Sequence, residues 1–98
     1  MTPDLEAELT IFASHDKVPQ VKGVRWEAIL CTVGGNFFAL IEPSSPPVDR
    51  DKPFLAQIYL LDPSNALVHF KPETSFTINA AGEVGEGKIL SVVSRNSV

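Results

Sequence analysis

Apolar and polar side chains alternate along several short stretches of the chain, which is typical of half-buried β-strands. The stretch LEAELTIFA at 5–13 places its apolar residues on one face and Glu6 and Glu8 on the other. The same stretch also fits a helix that Thr2 would cap and in which Pro3 would take the first position. The β-branched and aromatic residues near its end favour the strand.

A β-hairpin is predicted over 24–42. The stretch 24–33 alternates as the first one does, and the apolar stretch 37–42 follows at once. The Gly-Gly-Asn sequence at 34–36 separates them, and these residue types accept the positive φ angles of a tight reversal.

Further strands are predicted at 54–61, 66–70, 75–80 and 84–93. The stretch 54–61 is almost wholly apolar, so we expect it to be buried on both faces. The Pro-rich segment 43–53 is expected to form a surface loop, because proline cannot donate to a strand ladder. Short strands at nearly regular spacing, with turn residues between them, indicate an all-β sandwich or barrel.

The length of 98 residues predicts a single domain spanning 1–98, since domains commonly hold about 100–150 residues. We expect its core to cover about 4–93 and the tail 94–98 to fray.

The charge balance bears on partners and location. Eight Lys and Arg residues against twelve Asp and Glu give a net charge of −4. That balance argues against nucleic acid and against an anionic membrane surface, and it permits a basic protein partner. The N-terminus lacks the basic start and apolar run of a signal peptide, and no apolar stretch approaches the roughly 20 residues of a membrane span. We therefore expect a cytoplasmic protein.

One segment carries a family resemblance. The sequence FTIN at 76–79, followed by VGEG at 84–87, resembles the end of the C-terminal β-barrel of the elongation factor Tu family. There a Phe-x-Ile strand leads to a Val-Gly-x-Gly strand that closes the barrel. The start at 5–12 is similar to the first strand of that domain. The resemblance implies a small six-stranded antiparallel β-barrel. Gly85 and Gly87 would fall on one face of its last strand, where missing side chains allow a bulge, sharp coiling or the close approach of another backbone.

The family's barrel helps to hold aminoacyl-tRNA. We do not extend that role to this chain, because its charge balance opposes it. The chain also has no Gly-x-x-x-x-Gly-Lys-[Ser/Thr] loop of a GTPase domain.

Candidate catalytic chemistry is sparse. The imidazoles are His15, next to Asp16 in a polar turn, and His69, which falls on the polar face of a predicted strand. Cys31 is the single cysteine and is expected to be a small buried residue. No pair of Cys or His residues has the spacing of metal ligands. We predict no catalytic, cofactor-binding or metal-binding residues, and no enzyme activity.

Two surface features point to a protein partner. Glu6 and Glu8 could form an acidic stripe with Glu27 from a neighbouring strand. The run 37–41 does not alternate, so its outer face is either covered by the loop 43–53 or forms an apolar contact patch. The predicted protein-binding surface consists of Glu6, Glu8, Glu27, Phe37, Phe38 and Leu40.

These patterns favour a stand-alone, non-catalytic barrel that acts as a protein-interaction module. It could serve as an adaptor or as an inhibitor, such as the immunity partner of a toxin. One alternative is an RNA- or ribosome-associated factor, which follows from the resemblance. Another is a small-molecule-binding barrel, which ranks last because small barrels usually fill their interiors with side chains.

Overall fold

The structure, a computed structural model, describes residues 3–12, 23–45 and 52–93. Six strands and a short helical connection follow one another along the chain. They are β1 (Leu5–Ile11), β2 (Trp26–Thr32), β3 (Gly35–Ser45), β4 (Phe54–Leu60), the one-turn helix α1 (Pro63–Ala66), a 3₁₀ turn (Leu67–His69), β5 (Ser75–Asn79) and β6 (Glu83–Val92).

The strands close into a barrel in the order β1-β4-β3-β2-β5-β6, with every neighbouring pair antiparallel. This confirms the predicted fold class, and β2 and β3 form the predicted hairpin. Inward-facing residues of adjacent strands lie in register and fill the interior. One such row joins Leu5, Ile58, Ile41 and Trp26. Another joins Ile11, Gly85, Ile78 and Leu30.

Gly85 and Gly87 lie where β6 passes closest to its neighbours, as the sequence predicts. A Cβ atom on Gly85 would lie 2.4 Å from the carbonyl oxygen of Thr10, and one on Gly87 would lie 2.5 Å from Cδ2 of Leu9. The register of β5 against β6 also shifts beside Gly85. The missing side chains therefore allow both the bulge and the tight closure of the barrel.

The stretch 66–70 is not a strand, contrary to the prediction. Pro63 occupies the first turn of α1, where its missing N–H costs nothing, and the amide of Ala66 donates to the carbonyl oxygen of Asp62. The helical path places Ala66 and Phe70, four residues apart, in the barrel core. The ring of Phe70 packs edge-on against Phe76 at 6.2 Å and closes this end of the barrel.

Two further expectations need correction. β3 runs on through Pro43 to Ser45 instead of giving way to a loop at 43, because its register against β4 shifts there and a bulge tolerates proline. Residues 46–51 of the expected loop lie outside the described ranges. β4 is not buried on both faces throughout, since Leu55 is 46% exposed.

Asp4 joins the beginning and end of the barrel wall. Its backbone N–H donates to the carbonyl of Ile58, and its carbonyl accepts from the N–H of Val93. Its buried carboxylate accepts a hydrogen bond of 2.7 Å from the N–H of Leu60. The first strand is therefore held both to β4 and to the residue that follows β6.

Candidate protein-binding site

An apolar ridge crosses the outer wall of the barrel on β3 and β4. Phe37 and Ala39 face inward on β3, so Phe38 between them faces outward and is 63% exposed. Leu61, just after β4, is 53% exposed and donates its N–H to the carbonyl of Phe38. Ile29 of β2 lies opposite Phe38 in the ladder and is half-buried. We call Phe38 and Leu61 the apolar ridge.

A groove flanks the ridge on each side. The groove toward β2 and β5 has a volume of about 160 Å³, and its walls include Glu27, Ile29 and Ala81. The groove toward α1 has a volume of about 330 Å³, and its walls include Asp62 and Asn65. Both grooves are lined by Phe38 and Leu61, so the ridge separates them.

Ala81 at the first groove has a left-handed backbone, with φ of +61°. Such a conformation costs a residue with a Cβ atom roughly 1–2 kcal/mol, whereas glycine adopts it freely. The chain thus has an alanine, with its methyl group, at the wall of this groove, although the backbone conformation there suits glycine better.

The charged side chains at the two grooves are acidic. Glu27 lies in one groove and Asp62 in the other, and no basic side chain of the described ranges lines either. Asp62 accepts a hydrogen bond of 2.7 Å from the side-chain amide of Asn65, which holds its carboxylate in place.

Arg25, just before β2, pairs with Glu42 of β3. Its Nε donates to Glu42 at 2.6 Å, and its guanidinium lies 4.2 Å from the centre of the Tyr59 ring. The hydrogen bond to Glu42 raises the pKa of Arg25. Its positive charge is therefore paired with Glu42, and neither residue lines the two grooves.

The structure brings together three of the six predicted surface residues. Phe38, Glu27 and half-buried Leu40 share the outer face of the β2–β3 hairpin, where Leu40 lies opposite Glu27. Phe37 is half-buried, stacks on His69 at 5.0 Å between ring centres and lies against Phe70. It contributes to the wall of the groove toward α1 but not to the ridge.

The predicted acidic stripe does not exist. Glu6 and Glu8 are exposed on β1, whereas Glu27 lies on β2, three strands away in either direction around the barrel. The expectation failed because neighbours in sequence order, β1 and β2, are not neighbours in the sheet. Glu6 instead accepts a hydrogen bond of 2.9 Å from the hydroxyl of Ser91.

A separate groove of about 510 Å³ lies on the outer faces of β1, β6 and β5 and extends to the end of β2, where Cys31 and Thr32 line it. In-register side chains form two rows across it, Thr10–Glu86–Thr77 and Glu8–Lys88–Ser75. None of these side chains is fully buried, and both charge signs are present. The chemistry of this groove therefore selects no particular ligand.

Cys31 and His69 each contact other side chains. Half-buried Cys31 lies 3.6 Å from the side-chain amide of Asn79, and His69 stacks on Phe37 in the 3₁₀ turn instead of lying on a strand. His15 and Asp16 are outside the described residues. Within the described part of the chain, no three His, Cys, Asp or Glu side chains are grouped so that they could hold a metal ion.

The sequence did not indicate the contribution of Leu61, Ile29 and Ala81. Leu61 ends an apolar run that suggested complete burial, and Ile29 reads as an ordinary strand residue. The ladder register places Ile29 opposite Phe38, and a hydrogen bond joins the N–H of Leu61 to the carbonyl of Phe38. Only these pairings show that Leu61 and Ile29 meet at Phe38.

The helical segments that the structure describes have neither the length nor the apolar character of a membrane span. Comparison of the chain with protein-family models and with curated proteins finds no match.

Proposed function

We propose that the protein is a non-catalytic interaction module that binds another protein through the apolar ridge. The observation that supports this most is the exposure of Phe38 and Leu61, at 63% and 53%, side by side on the barrel wall. Large apolar side chains that are exposed together and bordered by polar groups mark interaction surfaces. Aromatic residues in particular dominate the energy of protein interfaces.

The surroundings of the ridge support the same proposal. Grooves on both sides can receive side chains of a partner, while Glu27, Asp62 and Asn65 supply a polar border. This resembles the apolar centre and polar rim of a protein interface. The alanine at φ of +61° adds to the argument, because backbone strain tends to persist where function needs it.

The relationship to the elongation factor Tu barrel also remains a proposal. A closed six-stranded antiparallel barrel and close contacts at Gly85 and Gly87 are compatible with it. In that case the chain would keep the barrel as a scaffold and use its wall for a protein partner, as an adaptor or an inhibitor.

Affinity capture from the native cell extract tests the proposal. We expect the unaltered chain to recover a stoichiometric protein partner, and Phe38→Ser to reduce its recovery more than about tenfold, as for an interface hot spot. The matched control is Leu55→Ser, which removes another apolar side chain that is 46% exposed. Leu55 lies at the start of β4, whereas Leu61 of the ridge follows its end. Equal recovery by both variants, or no partner at low salt, would refute the proposal.

A further inference from the structure

The charged side chains beside the apolar ridge are both negative. Glu27 and Asp62 are exposed, and each lies in a different groove, so the ridge has a carboxylate on either side. Carboxylates placed this way raise the local concentration of cationic groups and select against acidic ones. A protein that docked here with its own acidic residues would meet repulsion at both ends of the contact.

The basic residues that the structure describes do not cancel these charges. Arg25 is bonded to Glu42, and Lys88 lies 3.8 Å from Glu73, so both are paired with other carboxylates. Lys52 and Lys71 are exposed, and neither lines the two grooves. The net charge of −4 points in the same direction over the whole chain.

The shape of the site suggests how a partner would fit. A ridge between two grooves can be straddled by two apolar side chains, one entering each groove beside Phe38 and Leu61. Cationic groups just outside those side chains would then come close to Glu27 and Asp62.

We propose that the occupant of the ridge is a basic, apolar segment of a partner protein: two or more large apolar side chains with Lys or Arg on both sides. This inference rests on the proposed function, and adds the charge and composition of the partner. The apolar contacts supply affinity, and the two carboxylates set which segments are accepted.

Three end-blocked pentapeptides serve as probes: Lys-Leu-Phe-Leu-Lys, its charge-reversed form Glu-Leu-Phe-Leu-Glu, and Lys-Ser-Ser-Ser-Lys without apolar side chains. Each is titrated into the full-length, isotopically labelled chain, and the backbone amide shifts are followed by NMR. We expect the first peptide to shift the amides of Ile29, Phe38 and Leu61. It should bind about three- to tenfold more tightly than the charge-reversed peptide at low salt, as two exposed ion pairs allow. The serine peptide should produce no saturable shift at these amides.

Two double variants separate charge at the site from charge in general. Glu27→Gln with Asp62→Asn should abolish the preference for the lysine peptide, and added salt should shrink it in the unaltered chain. Glu6→Gln with Glu8→Gln makes the same change in net charge on the far wall of the barrel and should leave the preference intact. Asn in place of Asp62 keeps an acceptor for Asn65, so local structure is preserved.

The outcomes distinguish this inference from the proposed function. Equal affinity for the lysine and glutamate peptides, or shifts elsewhere than the ridge, would refute the basic partner. The interaction module itself would stand as long as Phe38→Ser still lost the captured protein. Shifts at the ridge that depend on the concentration of the chain alone would identify a second copy as occupant, which also overturns the inference.

Discussion

Asp4 shows at the residue scale how one polar side chain can secure a small barrel. It is fully buried, and its carboxylate accepts the N–H of Leu60, which lies at the end of a different strand. A buried carboxylate is unfavourable unless it is hydrogen-bonded, so this interaction fixes the position of the chain where β1 begins. Nothing in the sequence indicates this role, because an aspartate before a strand is ordinarily a surface residue.

Replacement of Asp4 tests whether its carboxylate stabilises the barrel. Asp4→Ala removes a charge-assisted hydrogen bond and leaves a backbone N–H without its acceptor, so we expect the free energy of unfolding to fall by about 2–3 kcal/mol. Urea denaturation measures it. Glu8→Ala, which removes an exposed carboxylate on the strand that follows Asp4, should change stability by less than about 0.5 kcal/mol. Similar losses in the two variants would contradict the assigned role.

At the scale of elements, the connection between β4 and β5 shows where local pattern stops being informative. The stretch 66–70 has apolar residues at alternate positions, which read as a strand, yet also at a spacing of four, which suits a helical turn. The helical reading places Ala66 and Phe70 in the core together. In so short a stretch both patterns fit. The helical one forms because it lets Ala66 and Phe70 fill the open end of the barrel.

Truncation of Phe70 measures how much this connection contributes. We expect Phe70→Ala to lower the free energy of unfolding by about 3–5 kcal/mol, since it deletes a buried aromatic ring that contacts Phe37 and Phe76. Val68→Ala in the same 3₁₀ turn is the control, because that side chain is 68% exposed and should matter little. A loss below about 1 kcal/mol at Phe70 would show that the connection is not part of the core.

At the scale of the whole molecule, the six strands of the barrel and the hairpin could be predicted, with one strand too many at 66–70, but the surface could not. Alternation identifies which side of each strand faces inward, and glycines in β6 indicated a tight closure. Strand order is different, because it depends on pairings between residues far apart in sequence. Without the strand order, the sequence allows a stripe of Glu6, Glu8 and Glu27 on neighbouring strands, and it does not show that Phe38 meets Leu61.

The overall charge yields a prediction about nucleic acid. With a net charge of −4 and acidic grooves beside the ridge, we expect no measurable binding to mixed tRNA at about 50 mM salt, where phosphate contacts are strong. Fluorescence anisotropy of labelled tRNA provides the measurement, with a basic barrel protein as positive control. Saturable binding that weakens with added salt would favour the translation-factor alternative instead.

The bond between Val93 and Asp4 has a practical consequence for protein engineering. A folded unit whose entry and exit points are adjacent can be grafted into a single loop of a host protein without stretching that loop. The exposed ridge, carried on the outer wall, would then be displayed on the host as a transplantable binding face.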